Sequence, residues 1–239
     1  MNGPGPRART VAAHEVVAYA HPRLPPSERD LIGMAVGRAI DTSLAQFSHR
    51  YGAGMRPTAT AIRRLAEEVL VEELRDADVA VAESERIAHL DRVAEVIRAF
   101  RASELFGLPR PRSRLVLIND DAGYYAQPDF WDARRRIYEM KSYRADPAAP
   151  EIALQLDLFQ LAFPRFETLL ARFDRHAPPV RGDLVPIPVP SRARGEEVLR
   201  VAYRCARERG QEKVLGFVDT TVVRYRIDAA DPASVGGAT

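Results

Sequence analysis

A chain of 239 residues, 46% hydrophobic and 28% charged, is long enough to bury a proper core as one large domain or two small ones. Its formal net charge of +2 is too small to argue for nucleic-acid binding by itself, and its single cysteine, Cys205, excludes an intrachain disulfide and an iron–sulfur cluster held by four cysteines of one chain. No run approaches the roughly 18 apolar residues of a membrane span, and no signal-like apolar block follows the first residues, so a cytoplasmic protein with no membrane partner is expected.

Residues 1–10 have the composition of a loose N-terminal tail. A proline-rich stretch then leads to Ser27, a helix-capping residue type, with Glu28 and Asp30 in the turn that follows. Leu31, Ile32, Ala35, Val36, Ala39, Ile40, Leu44 and Phe47 recur at three- and four-residue steps, which predicts an amphipathic helix ended by YGAGMRP at 51–57. The same period predicts helices over about 58–74 (Ile62, Leu65, Val69) and about 83–104 (Ile87, Leu90, Ala94, Ile97). Beyond GLPRPRS the pattern shortens to β-rich runs at 114–118, 124–131 and 135–143, the last two joined by a hairpin connection at Asp132-Ala-Arg-Arg-Arg. An apolar helix is expected over about 151–163 and another over 191–209, with Val198, Val201, Ala202 and Cys205 inward. TLLARFD, DLVPIPV and TTVVRYRI are further strand candidates, and 229–239 reads as a flexible C-terminal tail. The chain is therefore α/β. A single domain over 11–228 is expected, with a helical lead-in at about 27–106 leaning on a mixed core at about 112–228.

Within that core one group of residues stands out chemically. Of 35 basic residues all but Lys141 and Lys213 are arginine. An arginine cannot release a proton at workable pH, whereas a lysine near other charges can shift and act on water. Lys141 lies two residues from Glu139 on a predicted strand, so the two side chains project to one face. The hairpin would bring Asp129 beside Glu139. Two carboxylates next to a lysine suit a hard divalent cation, since Mg²⁺ takes one or two protein carboxylates and keeps waters and phosphate oxygens. Such a site suits phosphodiester hydrolysis.

The arrangement Pro128-Asp129, nine intervening residues, then Glu139-Met140-Lys141 resembles the PD-(D/E)XK nuclease superfamily. Two further elements resemble its RecB-like branch: Gln155-Leu-Asp-Leu-Phe159, with phenylalanine for the tyrosine of a Gln-x-x-x-Tyr pattern, and Gly37-Arg-Ala-Ile-Asp41, with aspartate for a histidine. The resemblance spans about 31–163. It implies a restriction-endonuclease-like αβββαβ core with a mixed sheet, in which Asp129, Glu139 and the Met140 carbonyl hold Mg²⁺ or Mn²⁺. It implies Lys141 as the catalytic lysine and Gln155 as a holder of the site or of the nucleic-acid backbone. Asp41 would stand in for the family histidine as a metal ligand. Gly33, Gly37 and Asp41 form one row on the first long helix, and two glycines inside a helix cost roughly 1 kcal/mol each, a cost that close approach of a backbone or substrate would explain.

Arg134, Arg135 and Arg136 at the hairpin tip are candidate phosphate contacts. The expected function is thus metal-dependent, exonuclease-like hydrolysis of DNA, single- or double-stranded, in repair, recombination or defence. A restriction-type endonuclease and a non-catalytic DNA-binding subunit with a nuclease fold are the alternatives. The chain has no Gly-x-x-x-x-Gly-Lys-Ser/Thr motif, so a helicase acting with it would be a separate subunit. Trp131 and Tyr124 read as core aromatics, and the histidines show no metal-ligand spacing.

Overall fold

The computed structural model describes residues 7–51, 55–109, 114–118, 122–214 and 223–225. Among these lie six helices and two sheets in a mixed α/β arrangement. The chain opens on β1 (Arg7–Ala12) and α1 (Ala13–Ala20), followed by three helices, α2 (Glu28–Arg50), α3 (Ala59–Asp76) and α4 (Glu83–Ala102). The strands β2 (Arg114–Ile118), β3 (Ala122–Ala126), β4 (Phe130–Trp131) and β5 (Arg136–Lys141) come next. Helix α5 (Pro150–Ala162), strands β6 (Glu167–Phe173) and β7 (Gly182–Ile187), helix α6 (Arg192–Arg209) and strands β8 (Gln211–Val214) and β9 (Val223–Tyr225) complete it.

The helical lead-in forms where its caps and apolar stripes put it. Ser27 Oγ accepts from the Asp30 amide while the Asp30 carboxylate accepts from the Ser27 amide, a reciprocal cap that satisfies two otherwise unpaired N–H groups of α2. Thr58 caps α3 in the same position. The inward faces of α2, α3 and α4, including Phe47, Leu65 and Phe100, share one core with Phe130, Tyr138, Met140, Leu169, Ala171 and Phe173. Phe130 lies on β4 and the other five alternate along β5 and β6, so the helical layer covers one face of the second sheet. The opposite faces of β5 and α5, through Ile137, Leu154, Leu158 and Phe159, join a separate core with α1, α6, β1 and β3.

One sheet runs β8-β1-β3-β2-β9 and the other β4-β5-β6-β7. Strand β1 occupies an inner position, parallel to β3 and antiparallel to β8. Residues 7–10 therefore belong to a sheet rather than to a loose tail. A six-residue strand with only Val11 as a β-branched aliphatic carries little signal of its own, and its pairing partners supply the stability. The tail at 229–239 lies outside the described residues.

The run expected at 124–131 is also not one strand. Its first part belongs to β3 in the first sheet, and its last two residues form β4 in the second. Pro128 lies at the change of sheet and has no N–H to donate to a ladder. Strands β5 and β6 are parallel neighbours joined through α5, the crossover that parallel strands require. None of the helices among the described residues is long and apolar enough to cross a membrane.

Candidate active site

Three separate segments converge on the C-terminal half of β5. The residues between β3 and β4 contribute Asp129, β5 contributes Glu139 and Lys141, and α5 contributes Gln155. The pairing of Phe130 with Tyr138 sets the register, and the Asp129 amide donates to the Tyr138 carbonyl at 2.9 Å. One Asp129 carboxylate oxygen in turn accepts from the Met140 amide at 2.7 Å. On the α5-facing side of β5, Lys141 Nζ donates to Glu139 Oε1 at 2.7 Å and to Gln155 Oε1 at 3.1 Å. Gln155 Nε2 donates to the same Glu139 oxygen at 2.9 Å. Phe159, one turn beyond Gln155, is buried and anchors that face of α5 in the core.

The electrostatics of this cluster are asymmetric. Glu139 is buried, and burial pushes its carboxyl up to about 8, with the Asp129 charge adding to the shift, Lys141 opposing it and Asp41 raising it further. Burial pulls the Lys141 ammonium down, but the charge of Glu139, its hydrogen bond and the charge of Asp129 outweigh this and hold the lysine above its usual range. Lys141 is thus a fixed cation and hydrogen-bond donor. The expectation that its own proton would be loosened is corrected: a lysine bonded to Glu139, with the Asp129 charge also acting on it, keeps its charge.

Asp41 lies on the exposed side of α2, yet its charge acts on both Glu139 and Arg175. Among the described residues no group of three or more His, Cys, Asp or Glu side chains is arranged as a ready metal cage. The glycines before Asp41 do not admit another backbone, which corrects one reason offered for them. A Cβ on Gly33 would meet nothing within 4 Å, and one on Gly37 would sit 3.6 Å from an Arg175 guanidinium nitrogen.

The residues do fit a divalent cation. The charges of Asp129 and Asp41 both raise the cost of ionising Glu139 while a single lysine opposes them, and a divalent ion offsets an excess of that sign. Mg²⁺ requires no more than one or two protein carboxylates, so two side chains and a carbonyl suffice.

The arginines at the hairpin tip sit elsewhere. They lie at the start of β5, and the cluster lies toward its end, roughly 3.3 Å per residue away along the strand. Arg136 is engaged with Asp132, its Nη2 2.6 Å from Oδ2, and with Glu104 at 3.4 Å. Asp132 also accepts from the amides of Arg134 and Arg136 and from the Tyr138 hydroxyl. Arg136 is therefore tied to a buried aspartate, while Arg134 and Arg135 are exposed in the turn. Tyr124 is fully buried with its hydroxyl on the Leu158 carbonyl at 2.8 Å, and Cys205 is a buried core residue.

A pocket of about 590 Å³ lined by Tyr19, His21, Leu154, Arg194, Glu197 and Arg204, among others, lies among α1, α5 and α6 and includes none of the cluster's residues. Sequence reasoning missed Arg175, which meets the residue after Lys141. In a chain that uses arginine almost everywhere, no local signal could single it out.

No protein-family model matches this sequence, and no curated protein matches it at a significant level. The crystal structure of SSO0001 is similar over 74% of this chain and 87% of that chain, at 14% identity and a TM-score of 0.35. A likeness at that level says nothing of function.

Proposed function

We propose that this protein is a divalent-metal-dependent nuclease of the PD-(D/E)XK kind, close to the RecB-like branch, that hydrolyses phosphodiester bonds of DNA in an exonuclease-like manner. The observation that carries this reading is the single hydrogen-bonded cluster of Glu139, Lys141 and Gln155, with Asp129 fastened to the strand between them. The expected αβββαβ core would be one mixed sheet, whereas β2 and β3 lie in one sheet and β5 and β6 in the other, so the reading rests on the cluster and not on the strand order. The completeness of the cluster disfavours a subunit that merely retains the fold.

Asp129, Glu139 and the Met140 carbonyl would hold Mg²⁺ or Mn²⁺, with Asp41 adding negative charge from α2. When bound, such an ion supplies Lewis acidity to the phosphodiester and offsets the clustered carboxylates. The chain's own groups do the rest. Lys141, held charged, donates toward negative charge that develops on the phosphorus oxygens and orients the attacking water. Gln155 is a positioning residue, bonding both Lys141 and Glu139 so that neither side chain swings away. Burial of Glu139 keeps bulk water from screening these interactions.

The deciding experiment incubates the purified protein with circular and linear DNA in Mg²⁺, Mn²⁺ or EDTA, alongside Glu139→Ala. Metal-dependent loss of linear DNA, absent in the variant, is the expected result. Discrete cuts in circles would move the reading to an endonuclease, and binding without cutting by the wild type would refute it.

A further inference from the structure

The last turn of α1, the start of α5 and one stripe of α6 enclose the pocket of about 590 Å³, a size that takes a small organic molecule. On α6 the lining residues Arg194, Val198, Val201 and Arg204 recur at four- and three-residue steps, so they share one face of the helix. Ten residues of helix make that face roughly 15 Å long. Leu154 of α5 and Val198 are buried, and with the half-buried Val201 and Ala20 they give the hollow an apolar lining. Tyr19 is a wall already fixed in place. Its hydroxyl donates to Glu208 at 2.9 Å, and the Arg209 guanidinium lies over its ring at 5.0 Å.

The two ends of the α6 stripe differ in charge. Arg194 Nε donates to Asp157 at 2.8 Å and Nη1 to Glu197 at 3.1 Å, so carboxylates answer the cation at the first end. Glu197 is the one acidic residue of the pocket lining among the described residues, and Arg194 takes it up. Arg204, at the other end, is exposed and has no hydrogen bond, ion pair or ring contact among the described residues. The remaining arginines of α6 are all engaged: Arg192 and Arg200 pair with Glu196, Arg207 donates to the Tyr203 hydroxyl, and Arg209 covers Tyr19. Filling an apolar hollow with an apolar body removes both surfaces from water, which is favourable. An anionic head on that body would meet Arg204 in a charge-assisted hydrogen bond.

We propose that this pocket binds a small amphipathic anion, its apolar chain or ring against Leu154, Val198 and Val201 and its carboxylate or phosphate on Arg204. The site shares no residue with the Glu139–Lys141 cluster, and the inference does not rest on the nuclease reading. Leu154 directly precedes Gln155, so the occupant lies against the helix that presents Gln155 to the cluster.

The test titrates the full chain with 1-anilinonaphthalene-8-sulfonate, an aromatic anion that fluoresces in apolar surroundings, and then displaces it with octanoate, octyl phosphate or 1-octanol. A single saturable site per chain is expected, with octanoate or octyl phosphate displacing the dye better than 1-octanol, which has the same chain and no charge. The better of the two anions identifies the head group. In Arg204→Gln the preference for the anion over 1-octanol should fall by about three- to tenfold, the weight of one charge-assisted hydrogen bond at an exposed rim. Arg204→Lys should keep most of that preference. Val201→Trp should fill the hollow and weaken the dye and all three competitors together by more than tenfold. If Val201→Trp does not fold, Ala20→Phe narrows the same space from α1. An unchanged preference in Arg204→Gln, unaltered binding in the folded filling variant, or no saturable site in the wild type would overturn the proposal. Cleavage assays on the same variants bear only on the nuclease reading, so the two fail separately.

Discussion

One carboxylate oxygen of Asp129 accepts a hydrogen bond from the Met140 amide at 2.7 Å, so the aspartate is fastened to the backbone midway between Glu139 and Lys141. The two halves of the Asp…Glu-x-Lys pattern are thereby one structural unit, although nine residues of chain separate them. An asparagine at 129 could still accept that bond, and this makes it a clean probe of charge.

Divalent metal should stabilise the native protein by RT ln(1 + [L]/Kd), about 2.7 kcal/mol at a hundredfold excess over Kd, or a rise in Tm on the order of 5–10 °C for a domain of this size. Asp129→Asn should keep its metal-free Tm and lose most of that rise in Mg²⁺ or Mn²⁺. Equal rises in both proteins, followed by thermal denaturation, would contradict Asp129 as a ligand.

Glu139→Ala and Lys141→Ala should lower hydrolysis by about 10²–10³-fold or more while circular dichroism stays native. Lys141→Arg should fail as well, because a planar guanidinium cannot reproduce the compact ammonium between Glu139 Oε1 and Gln155 Oε1. Full turnover by contaminant-free Lys141→Ala protein would remove the cluster from the chemistry.

Stability without metal should depend on pH through Glu139. Burial raises its folded-state pKa to about 8, above the ordinary carboxylate value. The folded state then holds the proton more tightly than the unfolded one. The group's contribution to stability is therefore complete below the ordinary value and is lost as pH rises toward 8, with a slope of up to about 1.4 kcal/mol per pH unit. Glu139→Gln should flatten that slope in urea titrations from pH 5 to 9, and metal affinity of the wild type should climb over the same window. A Glu139→Gln protein with the wild-type slope would show that another group titrates.

Asp132→Ala should destabilise the fold by roughly 3 kcal/mol, since it leaves the largely buried Arg136 guanidinium only the longer Glu104 contact and the buried Tyr138 hydroxyl without its acceptor. The effect belongs to the hairpin rather than to the chemistry. Hydrolysis measured well below the lowered Tm should therefore remain within a few-fold of wild type, and a loss as deep as that of Glu139→Ala would place Asp132 in the site.

The helices α2 and α3 were legible because Ser27 and Thr58 mark their starts and their apolar stripes keep a helical period, and α4, which follows Ala82 without a side-chain cap, was legible from its stripe alone. The adjacency of Asp129, Glu139, Lys141 and Gln155 was legible because a hairpin and one crossover suffice to assemble it. Strand β1 was not, because its stability comes from partners far along the chain. The division at Pro128 into two sheets was not, because alternation within 124–131 continues across the break.

The inner position of β1 has a consequence for synthesis. Arg9 pairs with Ala122 on one side and Glu212 on the other. At ribosomal rates of about 5–20 residues per second, this first strand emerges on the order of ten seconds before its nearer neighbour and longer still before the second. During that interval its amide and carbonyl groups have no ladder, the condition in which nascent chains capture one another. Arg9, exposed in the finished sheet, puts a charge on the waiting strand, and a charged edge resists pairing with a stranger until β3 arrives.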